Sequence, residues 1–350
     1  MNDMNGMSAM NPMNGKTVLV TGGAGFLGSH FVRRCLAGGA ALVVNFDRLS
    51  YAGDRRRLDD VAADPRYRFL RGDVASEPDV AAALDAHRPQ VVVHYAAETH
   101  VTRSESAPEL FHRTNVEGTR VMLEACAAGG VERFVHVSTD EVYGPILTGA
   151  FREEDKPDGE GLATSPYARS KALADDLARS FAGRLPVVVV RPTNAFGPHQ
   201  FPEKAFPRWI VRALRGQPLP VWGDGMYVRQ WLNAADFADA VALAATAGEP
   251  GSVYNVGPRH DPEITNIDLA RWLVATLGLP ADRIVMTAYD RPDHDRRYCV
   301  DAARISALGW RPGDVWEQLS ATVVWYRDNA AWWEPHLAEA ESIYADVAST

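Results

Sequence analysis

The stretch that most limits what this chain can fold into is Thr-Gly-Gly-Ala-Gly-Phe-Leu-Gly, at residues 21–28. It follows a β-branched and apolar run at 17–20 that reads as a buried strand. It leads into an amphipathic pattern at 30–36 that reads as a helix. Gly22, Gly25 and Gly28 therefore stand between a strand and a helix. Glycine there permits a tight turn and lets a pyrophosphate approach the backbone, and the helix N-terminus then faces the negative charge. A second apolar run, 41–46, ends in Asp47. That is about 20 residues beyond the glycines, where an acid grips the two ribose hydroxyls of a dinucleotide. An acid at this place favours NAD over NADP, because it repels a 2′-phosphate. Arg48 beside it weakens that preference.

The remaining pattern repeats strand and helix. Residues 67–70 read as a third strand, followed by Gly72, Asp73 and Val74. A helix over 78–87 leads to a strand at 91–94, which ends in Tyr95, Ala96, Ala97 and Glu98. Small residues at that strand end let a cofactor lie close. A long helix is expected over 104–128, stopped by Gly129 and Gly130, and another strand over 134–137. Regular alternation predicts an α/β fold with a doubly wound parallel sheet. The 350 residues suit a dinucleotide-binding domain over 16–191 and a smaller C-terminal α/β substrate lobe over 192–350, with segments of the lobe returning to the sheet. Residues 1–15, rich in Met and Asn, read as a disordered tail. Thr265-Asn266-Ile267 reads as a helix cap, and 316–333 as a tryptophan-rich packing helix.

Composition narrows the function classes. The formal net charge of −9 leaves no basic footprint for nucleic acid or for an anionic membrane surface. Cys35, Cys126 and Cys299 are scattered and odd in number, which is neither a disulfide framework nor a metal-ligand pattern. They fit a reducing, cytoplasmic setting. The N-terminus lacks the basic start and apolar core of a secretory signal.

Chemistry concentrates in Val-Ser-Thr-Asp-Glu-Val-Tyr-Gly, 137–144. It lies at the carboxyl end of a strand, the edge where open parallel sheets bind ligands. Asp140 and Glu141 stand beside the hydroxyl of Thr139. One carboxyl kept protonated and one kept ionised would supply an acid and a base at one site. Tyr167 and Lys171 are four residues apart, so they share a helical face. An ammonium and a positive nicotinamide would lower the phenol's pKa and let it take a proton from a sugar hydroxyl as hydride leaves the same carbon.

These features resemble the extended short-chain dehydrogenase/reductases and, among them, the dTDP-glucose 4,6-dehydratases. The resemblance spans roughly residues 16–335. Its general marks are the glycine turn, Asp47, Asp73-Val74, the 95–98 segment, Asn115 and the Tyr167/Lys171 pair. Its sharper marks are Ser-Thr-Asp-Glu-Val-Tyr-Gly at 138–144, Gly-Pro-His-Gln-Phe-Pro-Glu-Lys at 197–204 and Asp-Arg-Pro-Asp-His-Asp-Arg-Arg-Tyr at 290–298. The resemblance implies an NAD-dependent dehydration of a nucleotide hexose, dTDP-glucose first among them, to a 4-keto-6-deoxy sugar, as in deoxysugar biosynthesis. Thr139, Asp140, Glu141, Tyr167 and Lys171 would be catalytic. Phe26, Leu27, Leu49, Ser50 and Thr114 would join the residues already named in holding NAD. Thr99, Thr139, Asn194, Lys204, Pro220, Trp222, Arg229, Asn255, Asp290, Arg291 and His294 would hold the nucleotide sugar. Arg296 and Arg297 would either join them or form structural ion pairs. The helices at 104–128 and 167–183 would pair in a homodimeric four-helix bundle.

Some positions depart from the family pattern. Thr102 stands for an aspartate, Thr99 for a serine, Ala195 for the second Asn of a pair, Trp222 for a tyrosine and Gln230 for an aspartate. They leave the base and the exact sugar open. Two further readings stand beside the dehydratase: a nucleotide-sugar epimerase or decarboxylase, in which Asp140 and Glu141 would be idle, and a non-catalytic dinucleotide-binding protein.

Overall fold

A computed structural model describes residues 13–155, 165–288 and 296–342. The strands in chain order are β1 (Thr17–Thr21), β2 (Leu42–Asp47), β3 (Tyr67–Arg71), β4 (Val91–His94), β5 (Arg133–Val137), β6 (Val187–Pro192), β7 (Ala195–Phe196), β8 (Leu219–Trp222), β9 (Leu232–Asn233), β10 (Val253–Val256) and β11 (Ile284–Thr287). Seven of them form one sheet in the order β10-β6-β5-β4-β1-β2-β3, parallel throughout. The strands are runs of valine because both faces are covered. Val91–His94 and Val187–Pro192 are buried along their whole length. The order reverses between β1 and β4, and a crevice opens outside the carboxyl ends of these strands.

Helices cover both faces. On one, Phe26–Ala37 packs against Ala234–Ala247, and Phe31, Val32, Phe237 and Val241 meet the sheet. On the other, Met122, Leu123, Cys126 and Phe181 close a second core. A third core surrounds the parallel pair β8 and β11, where Phe206, Trp209, Leu273, Leu319 and Tyr326 are buried together. The chain beyond residue 192 feeds both bodies. It builds this third core, and it returns β10 to the main sheet.

Three elements differ from the sequence expectation. The helix expected over 104–128 begins at Val101 and is interrupted: Val101–Ser106, Pro108–Phe111, a π-helical turn His112–Glu117 and Gly118–Ala128. Proline disfavours helical conformation in the residue before it, and Ala107, before Pro108, sits at φ −143°, ψ 54°. The tryptophan-rich helix is two, Val315–Asp328 and Ala330–Trp333, parted at Asn329 with φ −123°. Part of the expected tail is ordered, since Met13 is fully buried and Met13 accepts from Lys16 N. Residues 1–12 lie outside the described residues. Thr265 does cap Asn266–Thr276, in a reciprocal capping box with Asp268. Among the described residues, no helix is long and apolar enough to cross a membrane.

Candidate active site

The glycine turn lies at the carboxyl end of β1. Gly22 has φ +67°, and a Cβ there would sit 2.7 Å from Ala96 N at the end of β4. At Gly28 a Cβ would sit 2.2 Å from Gly22 O, so the helix Phe26–Ala37 can start tight against the turn only with glycine. Asp47 ends β2. Its Oδ2 accepts from Ala24 N at 3.0 Å and its Oδ1 from Leu49 N at 2.8 Å. Burial holds its carboxyl above the usual range, against the opposing pull of these two bonds. Arg48 ion-pairs with Glu98 and lies 3.8 Å from Asp73. A guanidinium already shared by two carboxylates is a poor partner for a 2′-phosphate, which restores the NAD preference that its position in the sequence weakened.

A cavity of about 310 Å³ opens above this edge. Of the expected cofactor residues, Gly22, Gly25, Phe26, Leu27, Gly28, Asp47, Arg48, Ser50, Val74, Tyr95, Ala96, Ala97, Thr114, Tyr167 and Lys171 line it. Leu49 and Asp73 do not. Leu49, at φ +61°, serves through its amide to Asp47, and Asp73 is occupied by Ala75 N and Arg113. Thr114 Oγ1, Ser138 Oγ and Asn194 Oδ1 are buried without a hydrogen-bond partner, and all three residues line the cavity. Buried polar atoms are nearly always paired, so these three fit a bound group with polar atoms of its own. The blocked Cβ positions and the ribose-level acid fit a dinucleotide.

The acid and base candidates stand at the end of β5. Thr139 caps a short 3₁₀ turn, Asp140–Tyr143, and its Oγ1 accepts from Glu141 N at 3.3 Å and donates to Asp140 Oδ1 at 3.2 Å. Asp140 Oδ2 is buried without a partner. Burial first, then the charge of Glu141, pushes the Asp140 carboxyl up to about 8, against the opposing pull of Arg229. Glu141 is half-buried. Burial thus divides the pair, with the Asp140 carboxyl pushed towards its protonated form and Glu141 closer to water.

Tyr167 and Lys171 lie on Pro166–Ser180, whose start is capped by Ser165 accepting from Ala168 N at 3.0 Å. Both side chains are buried. Lys171 Nζ donates to Val137 O at 2.7 Å, which pins the helix to the last residue of β5. Burial lowers its ammonium to about 8, with Asp175 opposing. The expectation that Lys171 depresses the phenol is not met by the protein alone. Burial and then Glu141 push Tyr167 well above its ordinary range, and only the bond with Thr139 opposes them.

Support behind the site was not foreseen. Arg191 donates to Asp175 from Nε at 2.9 Å and from Nη2 at 2.7 Å, both groups fully buried. Its Nη1 donates to Tyr143 Oη at 2.5 Å, and Tyr143 donates to Asn255 Oδ1 at 2.8 Å. This chain ties β6, the helix of Tyr167 and Lys171, the 3₁₀ turn and β10 together. The one signal in the sequence was an arginine closing a run of four valines.

Asn255 is therefore not where a sugar nucleotide would reach. It is fully buried, and its Nδ2 donates to Phe151 O at 3.2 Å. Thr99, Asn194 and Lys204 do line the cavity, with Lys204 Nζ 3.5 Å from Thr99 O. Pro220 and Trp222 lie on β8, outside the lining, and Pro220 O accepts from Trp209 Nε1 in the third core. Arg229 is also outside the lining. It is 6% exposed, donates to Val228 O at 2.7 Å and lies 4.7 Å from the Tyr298 ring, while its charge still acts on Asp140. Arg296 and Arg297 form ion pairs with Asp224 and Glu263. Asp290, Arg291 and His294 lie outside the described residues. Gln230, one of the departures, exchanges two bonds with Val300. Glu203 lines the cavity and accepts from Tyr51 Oη at 3.2 Å. It was passed over although it adjoins Lys204 in the 197–204 motif.

A doubly wound parallel sheet whose crevice combines a glycine turn, an acid at the end of β2 and a buried Tyr/Lys helix defines an extended short-chain dehydrogenase/reductase. The chain belongs to the NAD dependent epimerase/dehydratase family, whose model matches residues 18–257. It is 44% identical over 327 residues to a dTDP-glucose 4,6-dehydratase of Actinoplanes sp., covering 90% of this chain and 99% of that one. Among solved structures, it is similar to DesIV, a dTDP-glucose 4,6-dehydratase of Streptomyces venezuelae with NAD and dTDP bound. The TM-score is 0.86 and the identity 42%, over 91% of this chain and 99% of that one. It also resembles a UDP-glucose 4-epimerase of Thermus thermophilus in complex with NAD, at TM-score 0.81 and 30% identity, over 89% and 99% of the two chains.

Proposed function

We infer that the protein is an NAD-dependent lyase that removes water from dTDP-glucose and yields the 4-keto-6-deoxy sugar. The observation that carries this reading is the carboxyl pair at the end of β5, with Asp140 buried and held protonated beside the more open Glu141. An epimerase has no use for such a pair.

The glycine turn and Asp47 would hold NAD+ in the crevice, where it would supply the acceptor for the C4 hydride and the source of its return to C6. Tyr167 takes the C4 hydroxyl proton, and Thr139 hydrogen-bonds the same oxygen. The burial and negative charge that raise the phenol would be offset by the positive nicotinamide ring. A carbonyl at C4 acidifies C5, and Glu141 removes that proton as base. Asp140 donates its proton to the departing C6 hydroxyl, and water leaves; as the hydride comes back to C6, the proton held by Glu141 returns to C5, and the proton taken by Tyr167 makes good the one that Asp140 gave. Lys171, fixed to Val137 O, orients the cofactor ribose. Asp47 holds the adenosine ribose. Asn194, Lys204 and Thr99 receive the sugar nucleotide at the lobe side of the cavity. Arg229 contributes through its field on Asp140 and a diphosphate rather than through the cavity wall.

The same reading places the enzyme in the cytoplasm as a homodimer. Leu173, on the outer face of the catalytic helix, is 49% exposed. That suits a bundle in which Gly118–Ala128 and Pro166–Ser180 of two copies pack together.

The direct test incubates purified protein, without added NAD+, with dTDP-, UDP-, GDP- and CDP-glucose. Loss of about 18 mass units, one water, from dTDP-glucose is the expected result, and it also shows that NAD copurifies. An unchanged mass with a new isomer by NMR would replace this reading with the epimerase. Dehydration of another nucleotide instead would keep the chemistry and move the base preference to the departures at Thr102, Ala195 and Trp222.

A further inference from the structure

We propose that Arg57 is a positioning residue that locks the cofactor half of the cavity to its substrate half. Arg57 is 1% exposed and belongs to a short turn, Arg55–Leu58, well outside every catalytic motif. Its guanidinium donates to three backbone carbonyls on three separate segments. Nη1 reaches Ala24 O at 3.0 Å and Ala52 O at 2.7 Å, and Nε reaches His199 O at 3.0 Å. Ala24 is in the glycine turn. Ala52 is in the loop beyond Asp47 that carries Ser50 and Gly53 into the cavity wall. His199 heads the segment that carries Gln200, Phe201, Glu203 and Lys204 into the opposite wall.

The grip is placed where the chain has no ladder of its own. Ala24 is held from both sides, its amide by Asp47 and its carbonyl by Arg57. His199 sits at φ +66°, a conformation a non-glycine residue keeps only when its surroundings hold it. Its ring lies 4.4 Å from Trp325, and the Arg57 guanidinium lies 5.3 Å from Trp332. The C-terminal helices therefore close over the same joint. A planar fork can serve three carbonyls in divergent directions, which an ammonium on a flexible stem cannot do as well. The assignment goes beyond the motif residues and rests on the reading of the cavity as the NAD and nucleotide-sugar site.

The test uses the holoenzyme as purified, with Arg57→Ala and Arg57→Lys beside the unaltered protein. Three readings are taken: NAD retained after gel filtration, KM for dTDP-glucose, and kcat with NAD+ in excess. Losing charge-assisted bonds to both walls should raise KM by about tenfold or more and strip most of the NAD from Arg57→Ala. The value of kcat at saturation should change far less. Arg57→Lys should recover part of both losses, and added guanidinium chloride below denaturing concentration should recover NAD retention in Arg57→Ala. Lower thermal stability with KM and NAD retention intact would overturn the assignment and leave Arg57 a packing residue. Should Arg57→Ala not fold, an Arg57→Lys protein with unaltered KM and NAD content would overturn it equally. If the unaltered protein neither retains NAD nor dehydrates the sugar, the reading of the cavity itself fails, and that result is separate.

Discussion

Asp140 and Lys171 are both brought to about 8 by burial, from opposite sides of neutrality. In the proposed mechanism Asp140 holds its proton in order to donate it, and Lys171 keeps its charge in order to orient the ribose. As pH rises through 8, both lose a proton, so kcat should fall on an alkaline limb that reports the two groups together. In Asp140→Asn the limb should become shallower, and kcat should drop by about 10²–10⁴, the usual contribution of a general acid. A rate profile over pH 6–10 checks both. The same residue predicts a stability effect. The folded-state pKa of Asp140 is above its unfolded value of about 3.9. Its contribution is fully present below that value and is lost as pH rises towards 8. Asparagine does not titrate. The melting temperature of Asp140→Asn relative to the unaltered protein should therefore climb from pH 4 to pH 8 and level off above. A pH-independent difference would mean that Asp140 is ionised in the folded protein.

At the scale of elements, the glycine turn is the least tolerant joint. The Cβ position at Gly28 faces a backbone oxygen at 2.2 Å, and backbone cannot rotate away as a side chain can. Gly28→Ala should force the helix Phe26–Ala37 off the turn, cost about 1–3 kcal/mol as overpacking does, and release NAD. Differential scanning calorimetry and the absorbance ratio of the purified protein read both effects; a variant with full NAD content would show that the turn yields. The helix Pro166–Ser180 is held differently, by a side-chain cap at Ser165 and by the Lys171 bond to β5. The interrupted helix beginning at Val101 shows the limit of periodic reading. Its apolar spacing persists across Pro108, while the backbone does not.

For the whole molecule, the exposed Leu173 and the paired helices predict a dimer. Light scattering at micromolar concentration should give twice the chain mass of 38.3 kDa, and Leu173→Glu should shift it towards monomer; monomer mass for the unaltered protein would refute the bundle. The residues alone determined a great deal. The glycine turn, the spacing to Asp47, the valine strands and the Tyr167/Lys171 pair follow from local sterics and periodicity, and each of these is written within a few tens of residues. The acid pair was equally legible, because adjacent residues at a strand end need no folding to be neighbours. Only the tertiary structure decided what depends on contacts distant in sequence. It moved Asn255 from the substrate into the Arg191–Tyr143 network, turned the Pro220 carbonyl to Trp209 outside the cavity lining, and left Arg229 acting on Asp140 through its charge. It raised one carboxyl of the pair by burying it. It also made Arg57 the meeting point of residues 24, 52 and 199. Burial and long-range hydrogen bonding are properties of the packed chain, and no local pattern encodes which carbonyl a distant guanidinium will find.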